Sequence, residues 1–168
     1  MNAVERILDF LGNDALLESS KLVVKFVKLD PEAKAPFKAN PTDAGWDLSC
    51  VGKPEFDDDG NMVYRTGLAL EIPEGYVGLL FPRSSIAKKD LLLTNSVGVI
   101  DCHYRGEVLA KFKSFIPEFS KHIARQIYES GDRICQLIVM PIPQVEMEEV
   151  SELSETDRGT GGYGSSGR

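Results

Sequence analysis

From Lys21 onward the chain is cut into short apolar runs, each stopped by glycine, proline or a cluster of charge. "KLVVKFVKL" (21–29) reads as a strand and leads into a proline-rich stretch from Pro31 to Pro41. "MVYRTGLALEI" (62–72) and "YVGLLF" (76–81) read as strands joined by the turn Pro73-Glu74-Gly75. "EVLAKFK" (107–113) sets Val108, Ala110 and Phe112 against Glu107, Leu109 and Lys111, and "RICQLIVMPI" (133–142) and "QVEMEEV" (144–150) complete the set. Short strands at near-regular spacing predict an all-β sandwich or barrel of the jelly-roll type.

Three segments depart from this texture. Residues 3 to 17 place Val4, Ile7, Leu8, Leu11 and Ala15 at helical spacing, which predicts an amphipathic helix. Within 114–130, Phe119, Ile123 and Ile127 recur at intervals of four, the pattern of a short helix or structured excursion. The end, "DRGTGGYGSSGR" (157–168), carries five glycines, and two readings stand for it. Such a string buries too little to fold and serves as a flexible tail. Equally, its backbone N–H groups, serines and arginines suit a flap that orders over an anion. The expected organisation is a helical extension over 1–20, a β domain over 21–153 and a glycine-rich flap over 154–168.

A length of 168 residues suits one compact domain. The net charge of −7 opposes a partner as polyanionic as nucleic acid. It does not oppose a small anion, because arginines converging on one cleft act locally once salt screens beyond ~10 Å. No apolar run reaches the ~20 residues that span a bilayer, so no membrane partner is expected. The N-terminus carries acids where a secretory leader is basic. Cys50, Cys102 and Cys135 are odd in number and lack CxxC spacing, which points to a reducing, cytoplasmic setting.

Polar residues interrupt the β pattern at four places. In "DAGWDL" (43–48), Asp47 sits between Trp46 and Leu48, as a strand opening or as a functional acid. "FPRSS" (81–85) ends an apolar strand with Arg83, Ser84 and Ser85, a planar fork plus hydroxyls suited to phosphate, or simply a loop start. "TNSVGVIDCHYRGE" (94–107) has the outline of a β-hairpin. An Asp101 placed directly after Val99-Ile100 is expected to be partly desolvated, which is how a carboxylate becomes a useful base. In "GDRICQL" (131–137), Gln136 lies among Ile134, Leu137 and Ile138 and needs a partner. The chain has no HExxH or other metal-ligand cluster, no GxxxxGK[ST], and no nucleophile context for either His103 or His122.

Taken in order, AGWDL, PRSS, NSVGVIDCHYRGE, GDRICQLI and RGTGGYGSSG resemble the five motifs of the homotrimeric dUTP pyrophosphatases (dUTPases), with similarity over about residues 21–167. Trp46 replaces a smaller or phenolic aromatic, and Tyr163 stands where many members have Phe. The resemblance implies a distorted jelly-roll barrel and hydrolysis of dUTP to dUMP and pyrophosphate. Asp101 would be the general base on water attacking the α-phosphorus. Mg²⁺ would neutralise the phosphates, with Asp47 acting through metal-bound water. Arg83, Ser84, Ser85 and Gln136 would grip the phosphate chain, and Asn95, Gly98, Val99 and Ile100 would read uracil. Tyr104 would sit beneath the sugar. Arg158, Gly161, Gly162, Tyr163, Gly164 and Ser165 would close over the nucleotide, Tyr163 by stacking on the base. Each site would be shared by subunits of a homotrimer. The competing readings are a dCTP deaminase, or bifunctional deaminase/dUTPase, of the same fold, and a catalytically silent trimer that senses the nucleotide.

Overall fold

The computed structural model describes residues 21–115 and 127–162. The helix expected over 3–17, most of the excursion over 114–130, and Tyr163, Gly164 and Ser165 lie outside the described residues.

Among the described residues nine strands form two antiparallel sheets: β1 (Lys25–Lys28), β2 (Trp46–Ser49), β3 (Val51–Phe56), β4 (Met62–Glu71), β5 (Tyr76–Pro82), β6 (Leu91–Leu93), β7 (Gly98–Ile100), β8 (Glu107–Ser114) and β9 (Arg133–Pro141). One sheet has the order β1-β4-β8-β6, with β3 also pairing β4, and the other has the order β2-β9-β5-β7. Both contribute to a single core. Leu48, Leu80, Ile134 and Leu137 from the second sheet meet Met62, Leu68, Leu93 and Phe112 from the first. Alternation explains which residues go in: on β8, Val108, Ala110 and Phe112 are buried while Leu109 and Lys111 are exposed. At one end Tyr64 packs edge-on to both Phe112 and Tyr128, with centroids 5.7 and 5.8 Å apart.

The long strand β4 changes partner along its length, and a bulge makes this possible. The register with β8 shifts between Arg65 and Ala69, and Gly67 adopts φ +66°. A Cβ there would lie 2.8 Å from that of Ala33, so only glycine admits the approach. The freed polar groups are satisfied locally. Buried Thr66 donates its hydroxyl to the Val108 carbonyl at 2.7 Å, and Glu107 accepts the Gly67 N–H at 2.7 Å.

Three sequence expectations are corrected. The first strand is shorter than 21–29, running only over Lys25–Lys28, the residues in ladder register with β4. The segment 94–107 is not a two-stranded hairpin: β7 pairs with β5, whereas β6 and β8 pair with each other in the opposite sheet. It is an excursion that carries β7 across to the second sheet and back. Residues 144–150 form no strand; they are exposed throughout, with Met147 90% accessible, and none of the described strands pairs with them.

Candidate active site

The second sheet assembles a polar cavity by register. Asp47 on β2 stands opposite Gln136 on β9, and Gln136 stands opposite Phe81 on β5. Two residues beyond Phe81 the chain leaves β5 as Arg83 and enters a 3-10 turn, Ser84–Lys88. Gln136 donates Nε2 to the Pro82 carbonyl at 3.1 Å, which supplies the partner its apolar strand demanded. Gly45 allows the close fit, for a Cβ there would lie 3.0 Å from Gln136 Oε1. The resulting cavity, about 460 Å³, is lined by Arg83, Ser84, Gln136, Asp47, Arg133 and Lys38 among others. Its cations outnumber its carboxylates, so it suits an anion although the whole chain is acidic.

Asp47 is the hub of this cavity. Its Oδ1 accepts from Arg83 Nε at 2.8 Å and its Oδ2 from Arg133 Nη1 at 2.9 Å. Charge-assisted bonds of this type are short and directional. Ser85 lies deeper, beside the phenol of Tyr128, whose own titration burial pushes up while Ser85 pulls it down. Lys89 closes the turn by donating to the Ile127 carbonyl at 2.8 Å, with its ammonium 4.9 Å from the Tyr128 ring centre.

A separate cavity of about 220 Å³ gathers the residues of the third motif: Asn95, Gly98, Val99, Ile100, Asp101 and Tyr104. Gly98 is buried against Leu80, whose Cβ would lie 3.0 Å from a Cβ at 98. The entry loop is tightly wound, with Val97 N–H donating to the Asn95 carbonyl at 2.6 Å around Ser96 at φ +60°. That conformation is uncommon outside glycine, and such strain concentrates where a loop must present its backbone. Tyr104 is held by its hydroxyl, which donates to the Glu107 carbonyl at 3.0 Å, and its N–H, which donates to the Asp101 carbonyl at 3.0 Å. Asp101 does not meet its expected desolvation within one chain. It is exposed, because it is the first residue past the end of β7 and begins a turn.

Among the described residues the two cavities share no lining residue. The described part of the tail, up to residue 162, lines neither: Arg158 donates Nε to the Gly161 carbonyl at 2.9 Å, and Gly162 is exposed. Sequence reasoning assigned no role to Arg133, Phe37 or Lys38, though all line the cavity around Asp47. A signal existed for Arg133, a charge opening the apolar run Ile134-Cys135. Phe37 and Lys38 lie in the proline-rich stretch, which has no periodicity to mark them.

The fold and these cavities define an all-β protein with a cation-rich cavity and a separate loop-lined pocket. Comparison with known proteins gives the family: the sequence pattern of dUTPase matches residues 31–167. The deoxyuridine 5'-triphosphate nucleotidohydrolase of Rhodococcus erythropolis is 39% identical over 150 residues, 89% of this chain and 88% of that protein. Its counterpart in Mycobacterium leprae is 41% identical over 147 residues, 84% of this chain and 92% of that one. A solved structure of a Staphylococcus bacteriophage 80alpha dUTPase mutant with dUpNHpp superposes with a TM-score of 0.67 at 28% identity, covering 87% of this chain and 99% of that one. A mutant dUTPase from phage phi11, described with a structural Mg(II) ion, gives 0.62 at 26% identity over 77% of this chain and 97% of its own. The chain belongs to the dUTPase family, hydrolases of deoxyuridine triphosphate.

Among the described residues no group of three His, Cys, Asp or Glu could cage a metal, and no helix is long and apolar enough to cross a membrane.

Proposed function

We infer that this chain hydrolyses dUTP to dUMP and pyrophosphate, with the phosphate chain in the Arg83 cavity and the uracil in the Asn95 pocket. The observation that carries the reading is the convergence of Arg83, Ser84 and Gln136 on one cavity, with Arg83 already fixed by Asp47. Arg83 presents a fork to phosphate oxygens, and Ser84 and Gln136 add neutral donors. The backbone of 95–100 reads the uracil edge, so cytosine, with its reversed donor–acceptor pattern, leaves buried groups unpaired. Tyr104 packs beneath the sugar and excludes a 2′-hydroxyl. Asp101 accepts the proton of the attacking water, a contribution of about 10²–10⁴ in rate.

The donor set fits Mg²⁺ of the kind held mainly by phosphate oxygens and water. Asp47 already accepts two guanidinium bonds, yet a carboxylate has about four acceptor positions, which leaves room for a metal-bound water. When bound, the ion would neutralise charge on the triphosphate.

We further propose that the site is completed by a homotrimer. The separate linings of the two cavities among the described residues, and an exposed Arg158 whose side chain donates to the nearby Gly161 carbonyl, both support assembly between chains. The exposed apolar side chains of β1 and of residues 145–153 support it as well. In that assembly residues 154–168 act as the flap, and the two sheets are read as a distorted jelly-roll barrel. Free Cys50, Cys102 and Cys135 agree with a reducing cytoplasm.

The test is a product analysis on dUTP, dCTP, dTTP and UTP under matched conditions. The reading requires dUMP and pyrophosphate from dUTP, at a rate far above the other three. Ammonia release from dCTP would instead indicate a deaminase, and tight dUTP binding without turnover a silent sensor.

A further inference from the structure

Asp47 is one carboxylate between two guanidinium groups, and its side chain is only 17% exposed. Because Arg83 gives Asp47 its Nε, both of its terminal nitrogens remain for another acceptor. A single bond from Asp47 would leave that arrangement free to turn, since the carboxylate can rotate and carry Arg83 with it. The bond from Arg133 Nη1 to the other oxygen removes this freedom.

Arg133 is itself held. Its guanidinium carbon lies 5.5 Å from the centre of the Phe37 ring, and Phe37 is tied to Asp47 by paired backbone bonds of 3.0 and 2.7 Å. Phe37, Arg133 and Asp47 therefore close a ring of contacts, to which Arg83 is joined through Asp47, spanning the proline-rich stretch, β9, β2 and the residue after β5. Arg133 spends Nη1 on Asp47 and a face of its guanidinium on Phe37, which is the disposition of a brace.

We propose that Arg133 is a positioning residue for dUTP hydrolysis: acting through Asp47, it aims the terminal nitrogens of Arg83 at the phosphates, and Phe37 holds it in plane. This rests on the reading of Arg83 as the phosphate clamp. Misplacing a reacting group by about 1 Å can cost on the order of 10²-fold, so a brace of this kind acts on kcat more than on affinity.

The experiment is a double-mutant cycle on the full-length chain, reading kcat, KM for dUTP and thermal unfolding for Arg133→Gln, Arg83→Gln and the double variant. Arg133→Gln is expected to lower kcat by roughly 10-fold or more with KM changed less than about 3-fold. On the Arg83→Gln background the same change should cost less than about 2-fold, because the brace then has nothing to aim. An equal loss on both backgrounds overturns the proposal and makes Arg133 a direct substrate contact. Unchanged kcat in a well-folded Arg133→Gln overturns it too. Normal kcat in Arg83→Gln alone overturns the clamp reading and the brace with it, a result the cycle separates from failure of the brace alone. Should Arg133→Gln fold poorly, Arg133→Lys and Phe37→Leu carry the test. Both should fold and lose kcat to a smaller degree without a matching rise in KM, and full activity in both contradicts the proposal.

Discussion

Gln136 donates its side-chain amide to the Pro82 carbonyl at 3.1 Å, one residue before Arg83, so β9 is fastened to the point where β5 releases the clamp. Proline carries no N–H for the ladder, and this carbonyl bond secures the strand end beside it. Gly45, just before β2, lies against the same side chain, and a Cβ there would sit 3.0 Å from Gln136 Oε1 and 3.2 Å from its Cβ. Gly45→Ala is therefore expected to displace Gln136 and lower kcat/KM for dUTP by about 10-fold while costing only about 1–3 kcal/mol of stability. Steady-state kinetics beside a melting curve separates the two effects, and wild-type kinetics would show that the contact is slack.

Asp101→Asn keeps the shape of the turn but removes the proton acceptor. Turnover should fall about 10²-fold or more while nucleotide binding persists. Calorimetric titration with a non-hydrolysable dUTP analogue checks the second half of that statement. Near-normal kcat would make Asp101 a turn residue only.

Deleting residues 158–168 should leave the oligomer folded, since glycine and serine add little to a core. Activity should nevertheless be mostly lost, because water exclusion and phosphate contacts go with the flap. Refolding a mixture of Asp101→Asn and tail-deleted chains should then restore activity above either parent, as intact bases meet intact tails from other chains. Mixed trimers seen by native mass spectrometry without recovered turnover would contradict shared sites.

Stability should decline on the alkaline side. Burial raises Cys135 above its ordinary 9.0 and pushes Tyr64 from 10.0 to about 12. A folded-state value raised above the unfolded one means the unfolded chain sheds its proton first. The stability from these buried neutral groups is thus complete below about pH 9 and is lost as pH climbs from there, by at most about 1.4 kcal/mol per pH unit per group. Urea unfolding between pH 8 and 11, as an experimental range of roughly that width, should show the fall, and Cys135→Ala should shallow it. An unchanged slope in that variant would place the titrating group elsewhere.

Strands β4, β5, β8 and β9 were legible because each carries an apolar face long enough to alternate, and because Gly75 and Pro73 mark their junction. Two others were not. β3 reads VGKPEF, with a glycine, a proline and charges, and β6 is three leucines in a row without any period. Residues 144–150 show the opposite failure: alternation tells which face a strand would bury, never whether a neighbour exists to pair with it. For the site, Asp47, Arg83, Ser84 and Gln136, all singled out in the motifs, line one cavity. The motifs could not show that Asp47 holds Arg83 or that Arg133 holds Asp47, because both relations come from the β2-β9-β5 register.

The point at which water enters the triphosphate decides between attack at the α- and the β-phosphorus. Hydrolysis of dUTP in ¹⁸O-enriched water, followed by mass spectrometry of both products after a single turnover, reads this directly. Attack at the α-phosphorus predicts one ¹⁸O in dUMP and none in pyrophosphate. Label recovered in pyrophosphate would mean attack at the β-phosphorus, and would contradict the placement of Asp101 and its water beside the α-phosphate.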